Sequence, residues 1–559
     1  MIRDQLLSAL RVALGAAGFP EPAEGVALTS PKDSGHGDFT TNVAMQLAKP
    51  LGLAPRDIAA KLVVALEAER PAHLQRAEIA GPGFVNLYLS PTWLYEVLRA
   101  VVAQDEQYGH NRTLAGHRIN LEFVSANPTG PIHAGAGRWV AVGDALANLL
   151  AAQGAEVHRE YYLNDAGNQL DTFGASLIAR LRGEEPPEDG YRGEYVLEMA
   201  ERMREQLDGE IAFEDAREWG YQYAVEAIRH DLGRIGVEFD TWFSERSLHE
   251  AGDVAEVLAE LRRRGVVYES EGATWLRSTD FRDQRDRVLV KSDGDTTYLL
   301  ADIAYHRDKF ERGWQSLIDI WGADHHGQVK SIQAGMEALG YPAGQPEVLL
   351  GQLVKLERGG ELVRLSRRAG NIITLADILD EVDPDVARLT FLLQGIDTQQ
   401  TFDLDVVTSQ SMENPVYYVQ YAHARIASIG RRAASQGIRR LPIIEADLAP
   451  LTHERELELL RALAAYPDVV AEAAVLRAPH RVTTWVRDFA KEFHGFYRDC
   501  RVISEDVALT QARLWLAEAC RVGLAGALAI LGVHAPDEMH RLDAEPSEND
   551  QGDDGESGA

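Results

Sequence analysis

The sequence predicts a multidomain α/β protein: a central domain built on a Rossmann-like doubly wound parallel sheet, an N-terminal α+β domain and a C-terminal all-α helical bundle. Three observations carry that expectation. The run Arg118-Ile119-Asn120-Leu121-Glu122-Phe123-Val124 has strand character, stops at Ser-Ala-Asn-Pro-Thr-Gly and gives way to an apolar helix ending near Leu150. Strand, polar turn and helix make the first βα step of such a sheet. Strand-like runs return at 316–321 (SLIDIW) and 346–350 (PEVLL), and after about Asp405 nearly all the text has helical periodicity. A chain of 559 residues also exceeds what one core of ordinary size accommodates.

The first part, 1–112, mixes helical text (RDIAAKLVVALEAE) with one clear strand, FVNLYL, set off by Gly81-Pro82-Gly83. The central domain spans 113–375, with a polar, charged insertion at about 170–240 that includes GEEPPEDGYRGEY. Residues 376–404 connect it to the helical bundle, 405–542. The last segment, 543–559 (DAEPSENDQGDDGESGA), carries no large apolar residue and reads as a disordered acidic tail.

Apolar residues make up 45% of the chain, which suits globular packing. No run of about 18 uncharged apolar residues occurs, and residues 1–15 lack a signal-peptide pattern, so a soluble, cytoplasmic protein without membrane association is expected. Cys500 and Cys520 are too few for a disulfide framework or a zinc site. The net charge of −31 speaks against nucleic acid, since phosphate contacts need Lys and Arg. Distribution matters more than the total. The stretch 477–501 (RAPHRVTTWVRDFAKEFHGFYRDCR) has six Lys/Arg against three Asp/Glu, with Trp485, Phe489, Phe493, Phe496 and Tyr497 interleaved. Two readings stay open there: a local strip that holds RNA, or an amphipathic helix whose aromatics are core.

The most informative stretch is FVSANPTGPIHAGAGR, from Phe123 to Arg138. A strand end followed by small residues, a histidine and glycines at a helix start brings phosphates to backbone N–H groups and the positive end of a helix. Gly135-Ala-Gly137-Arg-Trp-Val140 comes within one residue of GxGxxG, which raises a dinucleotide-binding dehydrogenase. Against it, Val140 replaces the third glycine, no strand-end acid follows about 20 residues on, and His133 has no part in that fingerprint.

At these residues the chain resembles the class I aminoacyl-tRNA synthetases, and SANPTGPIHAG is similar to the arginyl branch in particular. The resemblance implies that His133 and Gly135 occupy the first and third positions of the HIGH signature, where the family holds ATP, with Pro128, Thr129, Gly130 and Gly137 in the same turn. Ala136 stands where the family has its second histidine. The run Leu362-Val-Arg364-Leu-Ser366-Arg367-Arg368 resembles the family's KMSKR loop. Several guanidinium groups near the glycine hinge Gly370 make an anion clamp suited to pyrophosphate. Arg364, Ser366, Arg367 and Arg368 thus join His133 as the expected catalytic residues.

Specificity for arginine calls for carboxylates, which pair with a planar guanidinium. Tyr298 and Asp302 stand four apart and share a helix face. The arginyl branch uses a Tyr and an Asp at this spacing, adds a Glu matched here by Glu245 in WFSE, and holds the substrate's backbone groups at positions matched by Ser125 and Asn127. Gly322-Ala-Asp324-His325-His326-Gly follows a strand, at the sheet edge where ligands bind. A metal site there is not expected, because adjacent histidines on a turn rarely point at one ion. The resemblance implies contacts of Asp324 and His325 with ATP or substrate.

In the C-terminal third, NPVYYVQYAHAR and FHGFYRDCRV are similar to the helical bundle that reads the anticodon, which makes Tyr421, Arg425 and Arg498 candidate tRNA contacts. Near the N-terminus, SGHGDFTTNVAMQLAK and GPGFVNLYL are similar to the domain that meets the outer corner of tRNA. Phe84 and Asn86, two apart on one strand face, are candidates there for stacking on and bonding to an unstacked base. The resemblance implies ATP-dependent ligation of L-arginine to tRNA(Arg) through an arginyl-adenylate, with Mg²⁺ on the phosphates and a monomeric enzyme. The alternatives are another class I synthetase, cysteinyl or glutamyl, or a tRNA-binding homologue that has lost catalysis, which Ala136 prompts.

Overall fold

The protein is described from a computed structural model covering residues 2–31, 34–362, 373–409 and 414–539. Five strands, β1 (Arg118–Glu122), β2 (Glu156–Leu163), β3 (Thr241–Ser244), β4 (Ser316–Gly322) and β5 (Glu347–Gly351), form one sheet in the order β5-β4-β1-β2-β3. Every pair in it is parallel. This is the doubly wound order, and it reverses between β1 and β4, where such sheets open a ligand crevice at their carboxyl ends. Parallel strands covered on both faces read as apolar runs, and Ile119, Leu121, Leu317 and Ile318 are buried accordingly.

Helix α1 (Gly137–Ala152) follows β1 and is apolar nearly all round because nearly all of it is buried. It lies close on the strand: a Cβ at Gly143 would stand 2.2 Å from the Phe123 ring. Helices α2 (Tyr298–Glu311) and α3 (His326–Ala338) flank β4 in sequence. Strands β2 and β3, absent from the sequence reading, bracket three helices, Asn168–Leu181, Glu194–Gln206 and Phe213–Arg234, that pack around a core of their own with Phe173, Leu177, Met199 and Met203.

In the N-terminal part the expected strand, Phe84–Leu89, is the middle of a three-stranded antiparallel sheet between Phe39–Thr41 and Leu74–Ala80. Helices Ile2–Ala16, Val43–Leu51 and Pro55–Glu69 complete it. The C-terminal part is helical: α4 (Pro384–Phe391), α5 (Pro415–Ser435), α6 (Glu454–Val475), α7 (His480–Asp499) and α8 (Val507–Ile530). The stretch with interleaved aromatics is α7, and Trp485, Phe489, Phe493, Phe496 and Tyr497 are core. Its basic residues Arg481, Arg487, Lys491 and Arg498 are exposed, so the aromatics are packing and offer no stacking platform. The segment Val507–Leu531 is long and apolar enough to cross a membrane by length and composition. Within the bundle 67% of its most apolar 18-residue stretch is buried, as befits a core helix.

One hydrophobic core runs through all three parts, from Leu10 through Leu98 and Val101 to Leu463 and Leu524 in the bundle and to Val140 and Leu146 on α1. Side chains stitch the same seam: the Tyr95 hydroxyl donates to the Leu451 carbonyl (3.0 Å) and the Tyr108 hydroxyl to that of Leu463 (2.8 Å). On α4, the buried Arg388 guanidinium pairs with Asp144 of α1 and donates to the carbonyls of Ile235 (2.8 Å) and Leu531 (3.3 Å). Gly532 makes room for it: its φ is +66°, and a Cβ there would collide with the guanidinium.

Candidate active site

Past Glu122 the chain leaves β1 through two left-handed residues, Val124 (φ +69°) and Ser125 (φ +38°). Such conformations cost on the order of 1–3 kcal/mol each and persist only where the surroundings enforce them. Here the Ser125 hydroxyl donates to Glu122 Oε1 (2.9 Å) and accepts the Tyr162 N–H (3.1 Å), while the Ala126 carbonyl takes the Tyr161 hydroxyl (2.9 Å). A hydroxyl has one donor and two acceptor sites, so one lone pair on Ser125 is left for a ligand. Asn127 is half-buried, and its carbonyl accepts the Thr129 N–H (2.8 Å). Pro128 and Thr129 turn inward: both are buried, and the Thr129 carbonyl takes the Tyr195 hydroxyl (3.1 Å). Gly130 (φ +153°) lies against the Tyr195 ring, 2.7 Å from where a Cβ would stand.

His133 caps the short 3-10 turn Ala134–Ala136 that leads into α1, its Nδ1 accepting the Gly135 N–H (2.9 Å). In the neutral ring this leaves the proton on Nε2, a donor. The turn is tied to the segment after the arginine-rich loop, by Ala134 N–H to the Ile373 carbonyl (3.0 Å) and Leu375 N–H to the Ile132 carbonyl (2.8 Å). Arg364, Ser366, Arg367 and Arg368 themselves lie outside the described residues. Gly135 touches the His133 ring and comes within reach of Leu353, a 60% exposed apolar residue that the sequence reading missed. Gly137 faces Phe391 and Leu375, so its missing side chain leaves room for helix packing. Ala136 is buried.

Across the crevice stands a wall of acids. Tyr298 is the first residue of α2 and well exposed, Asp302 lies one turn on, and a cleft of about 240 Å³ opens beside both, lined also by Trp321 and Gln328. Glu245, the residue after β3, is buried. Burial, with the charges of Asp302 and Asp165, raises the Glu245 carboxyl to about 7 against the hydrogen bond of Tyr162. Burial also raises Asp302 to about 6, helped by Glu122 and Asp319 and opposed by His306 and His325. Two carboxylates that penalise each other's charge form a receptor for a cation. Asp324 and His325 are exposed at the carboxyl end of β4, where His325 Nδ1 meets Gln328 Oε1 (3.0 Å).

Under the wall lies a buried ionic cluster that the sequence reading also missed. Glu122, His306 and Asp319 bring their ligand atoms together as a metal site would. The space is taken by Lys309, whose ammonium bonds Glu122 Oε2 (2.6 Å) and Asp319 Oδ1 (3.1 Å). The signal was present: 302, 306 and 309 fall on one face of α2.

Residues 97–191 and 194–390 match the description "tRNA synthetases class I (R), catalytic domain", 4–89 match "Arginyl tRNA synthetase N terminal domain", and 419–539 match "DALR anticodon binding domain". The arginine–tRNA ligase of Moorella thermoacetica is 47% identical over 92% of this chain and 93% of its own, and that of Bacillus pumilus 44% over 96% and 99%. The chain belongs to the arginyl-tRNA synthetase family. An arginyl-tRNA synthetase structure from Campylobacter jejuni superimposes with a TM-score of 0.74 at 32% identity, covering 81% of this chain and all of that one.

The candidate tRNA contacts of this arginyl-tRNA synthetase family member fall into two groups. Phe84 is exposed as a stacking ring requires, whereas Asn86 is buried and its carbonyl oxygen accepts the Thr40 hydroxyl (2.8 Å). That corrects the expectation for Asn86: it shares the Phe84 face, but at the middle of the sheet it is covered by its cross-strand neighbours Thr40 and Glu78, while Val85 and Leu87 face the core. In the bundle Arg498 is exposed and paired with Asp499 (2.7 Å). Tyr421 is buried, and with Tyr497 it forms two ring faces, 4.5 and 4.8 Å away, that hold the Arg425 guanidinium.

Proposed function

We propose that the crevice between β1 and β4 carries out the reaction of this family, ATP-dependent ligation of L-arginine to tRNA(Arg). The observation that carries the reading is the pair Glu245 and Asp302, whose mutual charge penalty a guanidinium relieves. In this reading Tyr298 packs on the guanidinium, while Ser125 and Asn127 meet the substrate's ammonium and carboxylate. The signature turn receives ATP through Gly130, Gly135 and the Nε2–H of His133, with Asp324 and His325 at the far edge of the pocket. The arginine carboxylate attacks the α-phosphate in line and pyrophosphate leaves. A ribose hydroxyl at the tRNA 3′ end then attacks the adenylate carbonyl, and AMP departs. No protein nucleophile is needed: the turn and the loop arginines Arg364, Arg367 and Arg368, with Ser366, position and neutralise. Mg²⁺ enters as part of the ATP complex, because the Glu122–His306–Asp319 trio is filled by the Lys309 ammonium.

We also take the parts as working units: 1–112 and the bundle 405–542 contact tRNA, through Phe84, Arg425 and Arg498 among others, while 113–375 catalyses. In the same reading the enzyme acts as a monomer in the cytoplasm, which sedimentation of the purified protein and cell fractionation test.

Aminoacylation with purified tRNA, ATP and arginine tests the activity; charging with another amino acid, or none, overturns it, and the last result favours a homologue whose Ala136 marks lost catalysis. Asp302→Asn tests the pocket. The amide cannot form the charged fork, and losing a charge-assisted bond costs roughly 1.5–3 kcal/mol. KM for arginine should rise roughly tenfold to a hundredfold with KM for ATP unchanged; equal rises would remove Asp302 from the guanidinium.

The raised carboxyl groups give a pH signature. Arginine binds the ionised forms, so below pH 7 its binding displaces protons, first from Glu245 and then from Asp302. KM for arginine should climb as pH falls through about 7 and again through about 6. Calorimetry at pH 6.5 in buffers of different ionisation enthalpy should record proton release on arginine binding. Release of none would mean the two acids do not receive the cation.

A further inference from the structure

The two sides of the proposed arginine pocket meet on one ammonium. Lys309 is fully buried and joins Glu122 on β1 to Asp319 on β4, residues paired side by side across the strand boundary where the sheet order reverses. From Glu122 the chain of bonds continues through Oε1 to the Ser125 hydroxyl (2.9 Å), and so to the left-handed turn. From Asp319 it continues through Oδ2 to His306 Nε2 (2.7 Å), and His306 Nδ1 meets the Asp302 carbonyl (2.7 Å). Both ring nitrogens of His306 face oxygen acceptors, so both carry protons and the ring is an imidazolium. Glu122 and Asp319 are thereby balanced by Lys309 and His306.

A buried ion set of this kind contributes little net stability over apolar side chains of the same volume, but it fixes geometry, since each group is held by the others' charge. The geometry it fixes here is selective. One end is the hydroxyl that faces the substrate's backbone groups and the other is the turn of helix that bears Asp302. None of these bonds reaches His133 or the segment from Ile373 to Leu375.

We propose that Lys309 is a positioning residue for arginine, holding Ser125 through Glu122 and the Asp302 turn through Asp319 and His306 at the spacing the amino acid requires. The inference rests on the assignment of Ser125 and Asp302 to arginine made above. Lys309→Met keeps the stem and removes the charge. It should raise KM for arginine at least about tenfold while KM for ATP stays unchanged, both read by tRNA-dependent pyrophosphate exchange.

Because Lys309→Met leaves a net negative charge buried, Lys309→Met/Asp319→Asn is measured beside it. The double variant restores the charge balance, so its melting temperature should recover while KM for arginine stays high. Recovery of KM together with the melting temperature would reduce Lys309 to a fold-stabilising role and overturn the proposal, as would equal rises in the two KM values. Asp302→Asn separates the two levels. If it raises KM for arginine and Lys309→Met does not, the positioning role alone falls; if Asp302→Asn has no effect, the pocket is misassigned and the inference falls with it.

Discussion

His133→Ala is expected to slow adenylate formation by roughly 10²–10³, the usual consequence of removing one preorganised donor from a developing negative charge. The ring is held by its own turn: the Gly135 N–H occupies Nδ1, which in the neutral ring leaves the proton on Nε2, close to the start of α1, where the helix dipole favours phosphate. Alanine removes the donor and also leaves the Gly135 N–H without its acceptor. His133→Asn serves as the companion variant, because its amide can accept from Gly135 and still present an N–H. It should recover part of the rate. Pyrophosphate exchange with tRNA present is the measurement, and a wild-type rate in His133→Ala would mean that ATP does not lie on this turn.

The second large effect is on stability. Arg388→Met should destabilise the fold by about 3 kcal/mol, the low end of the cost of breaking a buried ion pair. The low end applies because Asp144 keeps a second partner, Arg159, at 3.1 Å. Against that, the carbonyls of Ile235 and Leu531 lose their donor in a dry setting. Equilibrium denaturation should show the loss; a change under about 1 kcal/mol would mean that water replaces the guanidinium.

Sequence legibility followed burial type. Strands β1, β4 and β5 announce themselves because apolar residues line them, and the glycines and histidine of the turn are recognisable because backbone approach to phosphate needs small residues. Strand β2 (EVHREYYL) is hidden because charged and polar residues interrupt it and one of its buried positions is charged: Glu160 is fully buried and satisfied by Arg312, by Tyr305 (2.8 Å) and by Asn120 (3.0 Å), all distant in sequence. No local pattern forecasts such a partner set. The same reasoning explains Lys309, which reads as a surface residue of an amphipathic helix, and Asn86, whose cover by Thr40 and Glu78 comes from neighbouring strands that sequence alone did not reveal. Tyr298 and Asp302 stand out by their shared helix face and Glu245 by the resemblance, while the effect of the Asp302 charge on Glu245 needs the fold.

The uninterrupted core has a thermodynamic reach. A ligand that binds only the native state stabilises every element that unfolds with its site, by an amount that grows with the logarithm of its concentration over Kd. The bundle shares its core with α1 and the N-terminal helices, so tRNA held by the bundle should slow amide hydrogen exchange in Gly137–Ala152, at positions it never touches. Helix Glu194–Gln206 buries Val196, Met199, Ala200 and Met203 in a separate small core, whereas Phe213–Arg234 sends Tyr221, Val225, Ile228 and Leu232 into the shared one, so exchange in Glu194–Gln206 should respond far less. Equal protection in both regions would mean that the insertion's small core does not open independently, and anticodon occupancy would then be felt across the whole molecule as one cooperative unit.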